Sequence, residues 1–186
     1  MDFPNQYRTE LYETLASVDV SLVEKVIEVF REARDKGRHI FVCGNGGSAS
    51  SASHFVCDTV KAASYGRTKR FKVVALADQV PTITAYSNDV AYDSIFVEQL
   101  MNFAEPGDVV MALSGSGNSP NVVRAIEYGK QIGCTTIGLS GRDGGKLAKL
   151  SDISIHVPFQ HMGRIEDAHM MVCHMICYYF MENPEA

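Results

Sequence analysis

One alternation constrains this chain more than any other feature. Short runs rich in Val and Ile, "HIFVCG", "KVVALA", "DVVMALS", "TTIGLS" and "DISIHVP", each end in small or polar residues, and stretches of helical period separate them. Strand alternating with helix means parallel strands, because a parallel pair needs a crossover long enough to hold a helix. The runs are almost continuously apolar, as expected when helices cover both faces of a sheet. The fold class read from this is α/β: a doubly wound three-layer sandwich with a central five-stranded parallel sheet and N-terminal helices. Helices are expected over 48–63, 91–103, 120–132, 144–150 and 164–181. Leu11, Leu15, Val18, Leu22, Val26, Ile27, Val29 and Phe30 lie at helical spacing and predict two further helices, the second ending at Gly37.

At 186 residues, with 46% hydrophobic and 21% charged residues, the chain suits one domain with a full core. A division into N-terminal helices (1–37) and an α/β core (38–186) follows. The formal charge of −5, with no basic block, argues against nucleic acid as a partner. No apolar run reaches the length of a membrane span, and "MDFPNQYRTE" lacks the form of a signal peptide. The five cysteines show no paired spacing. Buried free thiols are therefore expected, in a reducing cytoplasm.

Ligands of open α/β sheets bind beyond the carboxyl ends of the strands. Three loops there are unusual: "GNGGS" (44–48), "SGSGNS" (114–119) and "SGRDGG" (140–145). Glycine lets a ligand approach the backbone, a helix N-terminus offers unpaired N–H groups, and serine adds donors without charge. Turning and capping alone would explain "SGRDGG". Three serines in six residues, Ser114, Ser116 and Ser119, exceed what one cap needs and point to a phosphoryl group. Neither the Walker spacing nor the dinucleotide pattern is present, so a small phosphorylated metabolite is a better guess than a nucleotide.

His54 and Asp58 stand four apart on the helix expected after "GNGGS", and Glu166 and His174 eight apart on the closing helix, so each pair shares a face. Two His and two carboxylates suit a divalent metal. On spacing alone, a surface pair and a core histidine serve as well. His156, His161 and His169 receive no role.

In order, "GNGGSASSASHF", "SNDVAYDSIF", "LSGSGNSPNVVRAIEYGK", "GLSGRDGGKLAKLSD" and "HVPFQHMGRIEDAHMMVCHMI" resemble the sugar isomerase (SIS) domain family, and its phosphoheptose isomerase branch most. The resemblance implies a homotetramer with active sites between subunits, the N-terminal helices taking part in that packing. It also implies one Zn2+ per subunit, held by His54, Asp58, Glu166 and His174. By motif match, Asn45, Gly46, Gly47, Ser48, Asn88, Asp89, Ser114, Gly115, Ser116 and Ser119 bind the phosphosugar, with Asp58 and Glu166. Asp58, Glu166 and His174 would be catalytic.

Two positions depart from the branch, which has Glu where this chain has Asp58 and Gln where it has Glu166. Gly163 stands where some relatives are acidic. The implied reaction is the aldose–ketose isomerisation of sedoheptulose 7-phosphate to D-glycero-D-manno-heptose 7-phosphate. The alternatives are a non-catalytic phosphosugar-binding regulator and an isomerase of another phosphosugar.

Overall fold

The computed structural model describes residues 2–185. Five strands, β1 (His39–Cys43), β2 (Lys72–Ala75), β3 (Val109–Ser114), β4 (Thr135–Gly141) and β5 (Ile153–Val157), form one parallel sheet in the order β2-β1-β3-β4-β5. The chain steps outward from β1 to β2, then returns to the other side of β1 for β3. The switch point thus lies between β1 and β3, where the crevice of such a sheet takes its ligand. "GNGGS" follows β1 and "SGSGNS" follows β3, so the two loops flank that crevice.

Eight α-helices cover the sheet: α1 (Phe3–Ala16), α2 (Val20–Asp35), α3 (Gly47–Cys57), α4 (Val80–Asp89), α5 (Val97–Phe103), α6 (Pro120–Gln131), α7 (Gly145–Leu150) and α8 (Met162–Glu182). One apolar layer joins Val26, Ile27 and Phe30 of α2, Phe55 of α3 and Val172 and Ile176 of α8 to Val42, Met111 and Leu139. The opposite layer joins Leu100 of α5, Ile126 of α6 and Leu147 of α7 to Phe41 and Val110. Alternate strand residues serve the two layers, which is why the strands read as unbroken apolar runs.

α2 shows the local rules plainly. Asp19 caps it by accepting from the Ser21 N–H at 3.0 Å, and Val23, Val26, Ile27, Phe30 and Ala33 bury one stripe. α1 lies on α8, fixed by a Tyr7 hydroxyl donating to Asp167 at 2.7 Å and by an Arg164–Glu10 ion pair.

Two helical expectations change. The stretch 48–63 is α-helical only to Cys57; Asp58–Ala62 forms a π-turn, closed by Ala63 N–H on the Asp58 carbonyl at 3.1 Å. Thr59 donates its hydroxyl back to the Phe55 carbonyl at 2.7 Å, a contact that competes with the helical ladder. The stretch 91–103 divides into a 3-10 turn at Tyr92–Ser94 and α5. The α4 helix was not foreseen from its sequence. It buries no residue, so "VPTITAYSND" carries little helical stripe.

Candidate active site

α3 begins at the switch point and carries His54, Asp58 follows as the first residue of the π-turn, and α8 brings His174. The Asp58 Oδ2 atom lies 3.3 Å from His54 Nε2 and 3.9 Å from His174 Nε2. The two imidazoles meet edge to face at 5.2 Å between centroids. One ligand atom from each of the three residues falls within 4.8 Å of the others. His54 and His174 remain 54% and 43% exposed, so the cluster opens to solvent rather than closing into the core. Two imidazole nitrogens and a carboxylate oxygen are a donor set that fits a divalent transition metal with positions left open.

Glu166, the fourth expected ligand, is not in that cluster. Its carboxylate lies flat against the first residue of α3: a Cβ built on Gly47 would fall 2.5 Å from Oε1 and 2.8 Å from Oε2. The same turn of α8 meets two more glycines. Met162 Sδ would stand 2.4 Å from a Cβ on Gly115, and Ile165 Cδ1 2.6 Å from one on Gly141. One helical turn therefore rests on the loops and strand end that follow β1, β3 and β4, and the fit is tightest at Gly141, where a Cβ would also lie 2.8 Å from the Gly115 carbonyl oxygen.

The serine loop is arranged around its hydroxyls. Ser114 Oγ lies 3.4 Å from Ser116 Oγ and 3.3 Å from Ser119 Oγ. These are loose contacts, longer than the usual 2.7–2.8 Å for hydroxyl pairs. Ser119 occupies the N-cap position of α6, yet its side chain does not cap the helix. Three hydroxyls face one another at a helix start with Pro120 in its first turn, and no carboxylate pairs with them among the described residues. Ser116 Oγ accepts the Asn118 N–H at 3.2 Å, a local turn contact, whereas among the described residues Ser114 and Ser119 make no such bond to the start of α6.

Asn45 has its amide committed. It exchanges hydrogen bonds with Asn121, 2.9 Å in each direction, and accepts from the Tyr92 hydroxyl at 2.9 Å. Asn121 and Tyr92 went unnoticed in the sequence, where an Asn after Pro120 and a lone Tyr give no signal. Gly46, with φ of 54°, has nothing within 4 Å of where a Cβ would sit, so its backbone is open to the cleft. Ser48 is buried in the first turn of α3. Asn88 and Asp89 stand exposed at the end of α4, with the Asn88 amide donating to Asp89 at 2.7 Å. At Gly163, a Cβ would come 3.1 Å from the Tyr7 hydroxyl, so tyrosine fills the space an acidic side chain would need.

His156, His161 and His169 lie apart from the cluster. His156 bonds to the Arg142 carbonyl at 3.1 Å, and His161 packs edge-on against Tyr7. His169 is buried on the inner face of α8, and neither ring nitrogen completes a hydrogen bond among the described residues. Burial pushes its pKa down to about 4, offset in part by the Ser140 backbone. The five cysteines carry free thiols, four of them buried as expected, with burial raising Cys43 and Cys173 to about 12; Cys57, at the end of α3, is instead exposed.

Residues 5–141 match the family of the SIS domain. The chain belongs to that family. Among SIS proteins, it is 40% identical to a probable phosphoheptose isomerase of Thermoplasma volcanium, over 87% of this chain and 82% of that one. It is 38% identical to the phosphoheptose isomerase of Aliarcobacter butzleri, over 89% and 88%. The solved phosphoheptose isomerase GmhA of Neisseria gonorrhoeae superposes with a TM-score of 0.90 at 28% identity, covering 97% of this chain and 98% of that one. The doubly wound five-stranded parallel sheet is thus the SIS fold.

Proposed function

We propose that this SIS chain is an aldose–ketose isomerase that interconverts sedoheptulose 7-phosphate and D-glycero-D-manno-heptose 7-phosphate. The observation that carries the reading is the convergence of His54, Asp58 and His174, together with the loop of three serine hydroxyls that flanks the sheet's switch point. The names of the relatives above support the same substrate class.

The serine loop and the start of α6 hold the phosphate through hydroxyl and backbone donors. The phosphate is remote from the reacting carbons, so this binding orients the sugar rather than lowering the barrier directly. Isomerisation moves one proton from C1 of the ketose to C2 and one hydroxyl proton from O1 to O2, through an enediolate. Asp58 takes the carbon-bound proton and returns it to the neighbouring carbon. His174, 3.9 Å from it, exchanges the oxygen-bound proton. His54, Asp58 and His174 would hold a Zn2+ or similar ion, which when bound supplies polarisation of the sugar's oxygens.

The α1–α8 groove beside His174 supports a homotetramer with sites near subunit boundaries. About 570 Å³ in volume, it is lined by Leu11, Leu15, Met170, Met171, Met175 and Tyr178. The free thiols fit a cytoplasmic protein, and no helix among the described residues is long and apolar enough to cross a membrane. Incubation of the metal-loaded protein with sedoheptulose 7-phosphate, followed by NMR, tests the reading. The aldose product is expected, and no turnover of this sugar would reject it.

A further inference from the structure

Asn45 stands just past the end of β1, one residue before the turn at Gly46 that opens α3. Its amide is used within the protein. Asn45 Nδ2 donates to Asn121 Oδ1 and Asn121 Nδ2 donates back to Asn45 Oδ1, 2.9 Å each way. The Tyr92 hydroxyl donates to the same Asn45 oxygen at 2.9 Å. Two donors fill the two lone pairs of that oxygen, so the side chain has one N–H left to offer a ligand. Asn121, in the first turn of α6, is 2% exposed, and its Oδ1 also accepts the Val122 N–H at 2.9 Å. A second tie runs alongside: Asp93, next to Tyr92, pairs with Arg124 of α6 at 2.7 Å.

One amide pair therefore joins three segments: the loop that leads into α3, the first turn of α6 and the turn after α4. The first leads on to His54 and Asp58, and the second follows the serine loop. We infer that Asn121 and Tyr92 are positioning residues that, through Asn45, fix the separation between the phosphate anchor and Asp58. This rests on the isomerase reading and adds to it what selects the length of the sugar. With the phosphate held at the start of α6, that separation decides which carbon comes under the base. A buried hydrogen-bonded network rigidifies what it joins. Being neutral, this one adds no charge beside a bound phosphate.

Steady-state kinetics on sedoheptulose 7-phosphate and on a six-carbon ketose 6-phosphate test the inference in metal-loaded wild type, Tyr92→Phe and Asn121→Ala. Metal content is checked in each, and inorganic phosphate binding is measured by calorimetry. Misplacing the reacting carbon by about 1 Å can cost on the order of a hundredfold, and Asn121→Ala is expected to lose kcat by about that factor. Tyr92→Phe removes a single hydrogen bond and should lose about tenfold. Inorganic phosphate, which needs only the serine loop, should bind all three proteins alike. The preference that wild type shows between the two sugar lengths should weaken in both variants. Loss of kcat with that preference unchanged, or with phosphate affinity falling in step, is a structural loss and overturns the inference. Unchanged kcat in Tyr92→Phe does so too; that side chain is 57% exposed, so the variant should fold even where Asn121→Ala does not. If wild type turns over neither sugar, the isomerase reading falls and takes the inference with it; turnover without these signatures overturns the inference alone.

Discussion

Gly117 and Gly144 meet backbone to backbone across two loops: a Cβ on Gly117 would lie 2.1 Å from the Gly144 carbonyl oxygen. Gly117 also has φ of 63°, and its own carbonyl accepts the Leu147 N–H at 2.9 Å. The serine loop is therefore braced by the start of α7, and its hydroxyls keep their places because the bend behind them cannot relax. Gly117→Ala combines a left-handed conformation, worth about 1–2 kcal/mol, with a clash against backbone. A loss of at least about 2 kcal/mol in denaturant unfolding is expected, with weaker phosphate binding. Gly46→Ala, with a similar φ but open space around it, should show the conformational cost alone.

Removing loop hydroxyls probes binding without disturbing the chemistry. Ser116→Ala and Ser119→Ala should each raise KM by roughly tenfold or more, the scale of one hydrogen bond to a charged group. Turnover at saturation should change little, because the phosphate is held alike in ground and transition states. Steady-state kinetics decide it; unchanged saturation in both variants would move the phosphate elsewhere.

His54→Ala and His174→Ala are expected to abolish bound divalent metal and activity while leaving the circular dichroism spectrum unchanged. Both side chains are about half exposed and neither holds the core together. Elemental analysis of the purified variants is the measurement. A metal-to-protein ratio equal to wild type in both would remove the two residues from the ligand set.

His169 gives a pH signature of stability. Its folded pKa is depressed to about 4 from 6.5, so the unfolded chain binds the proton more readily. Stability from the neutral ring is complete above about pH 6.5 and falls as pH drops toward 4. The full loss is about 3 kcal/mol on that linkage. His169→Leu should flatten the difference in unfolding midpoint between pH 7 and pH 4.5 relative to wild type. An equally steep dependence in the variant would place the titration elsewhere.

The sheet was legible in the sequence because burial on both faces leaves long apolar runs, and those runs coincide with β1 to β5. α4 was not legible, since it buries no residue and so has no stripe to read. In the site, His54 and Asp58 were readable as a pair because helical backbone runs from one to the other, Asp58 being the first residue of the π-turn, and spacing there fixes direction. Glu166 was not, because its position depends on where Gly47 leaves room, a contact across 119 residues of sequence. Asn121 and Tyr92 hold Asn45 through tertiary contacts of the same kind.

The two exchanged acids make the sharpest test. The family resemblance implies that both Asp58 and Glu166 are catalytic. The geometry favours Asp58, whose Oδ2 stands within 4 Å of both imidazoles, whereas Glu166 lies against Gly47. Asp58→Asn is therefore expected to lose turnover by about a thousandfold or more, the upper range for removal of a general base. Glu166→Gln should cause a smaller loss of kcat. Asp58→Glu lengthens the base by one methylene into a site that now contains a second carboxylate, and misplacement of that size can cost about a hundredfold. The double variant Asp58→Glu with Glu166→Gln relieves the like charges and should recover part of that loss. Such non-additivity is expected of groups that share one cleft. If Glu166→Gln is dead while Asp58→Asn still turns over, the base has moved to α8 and the assignment to Asp58 is wrong.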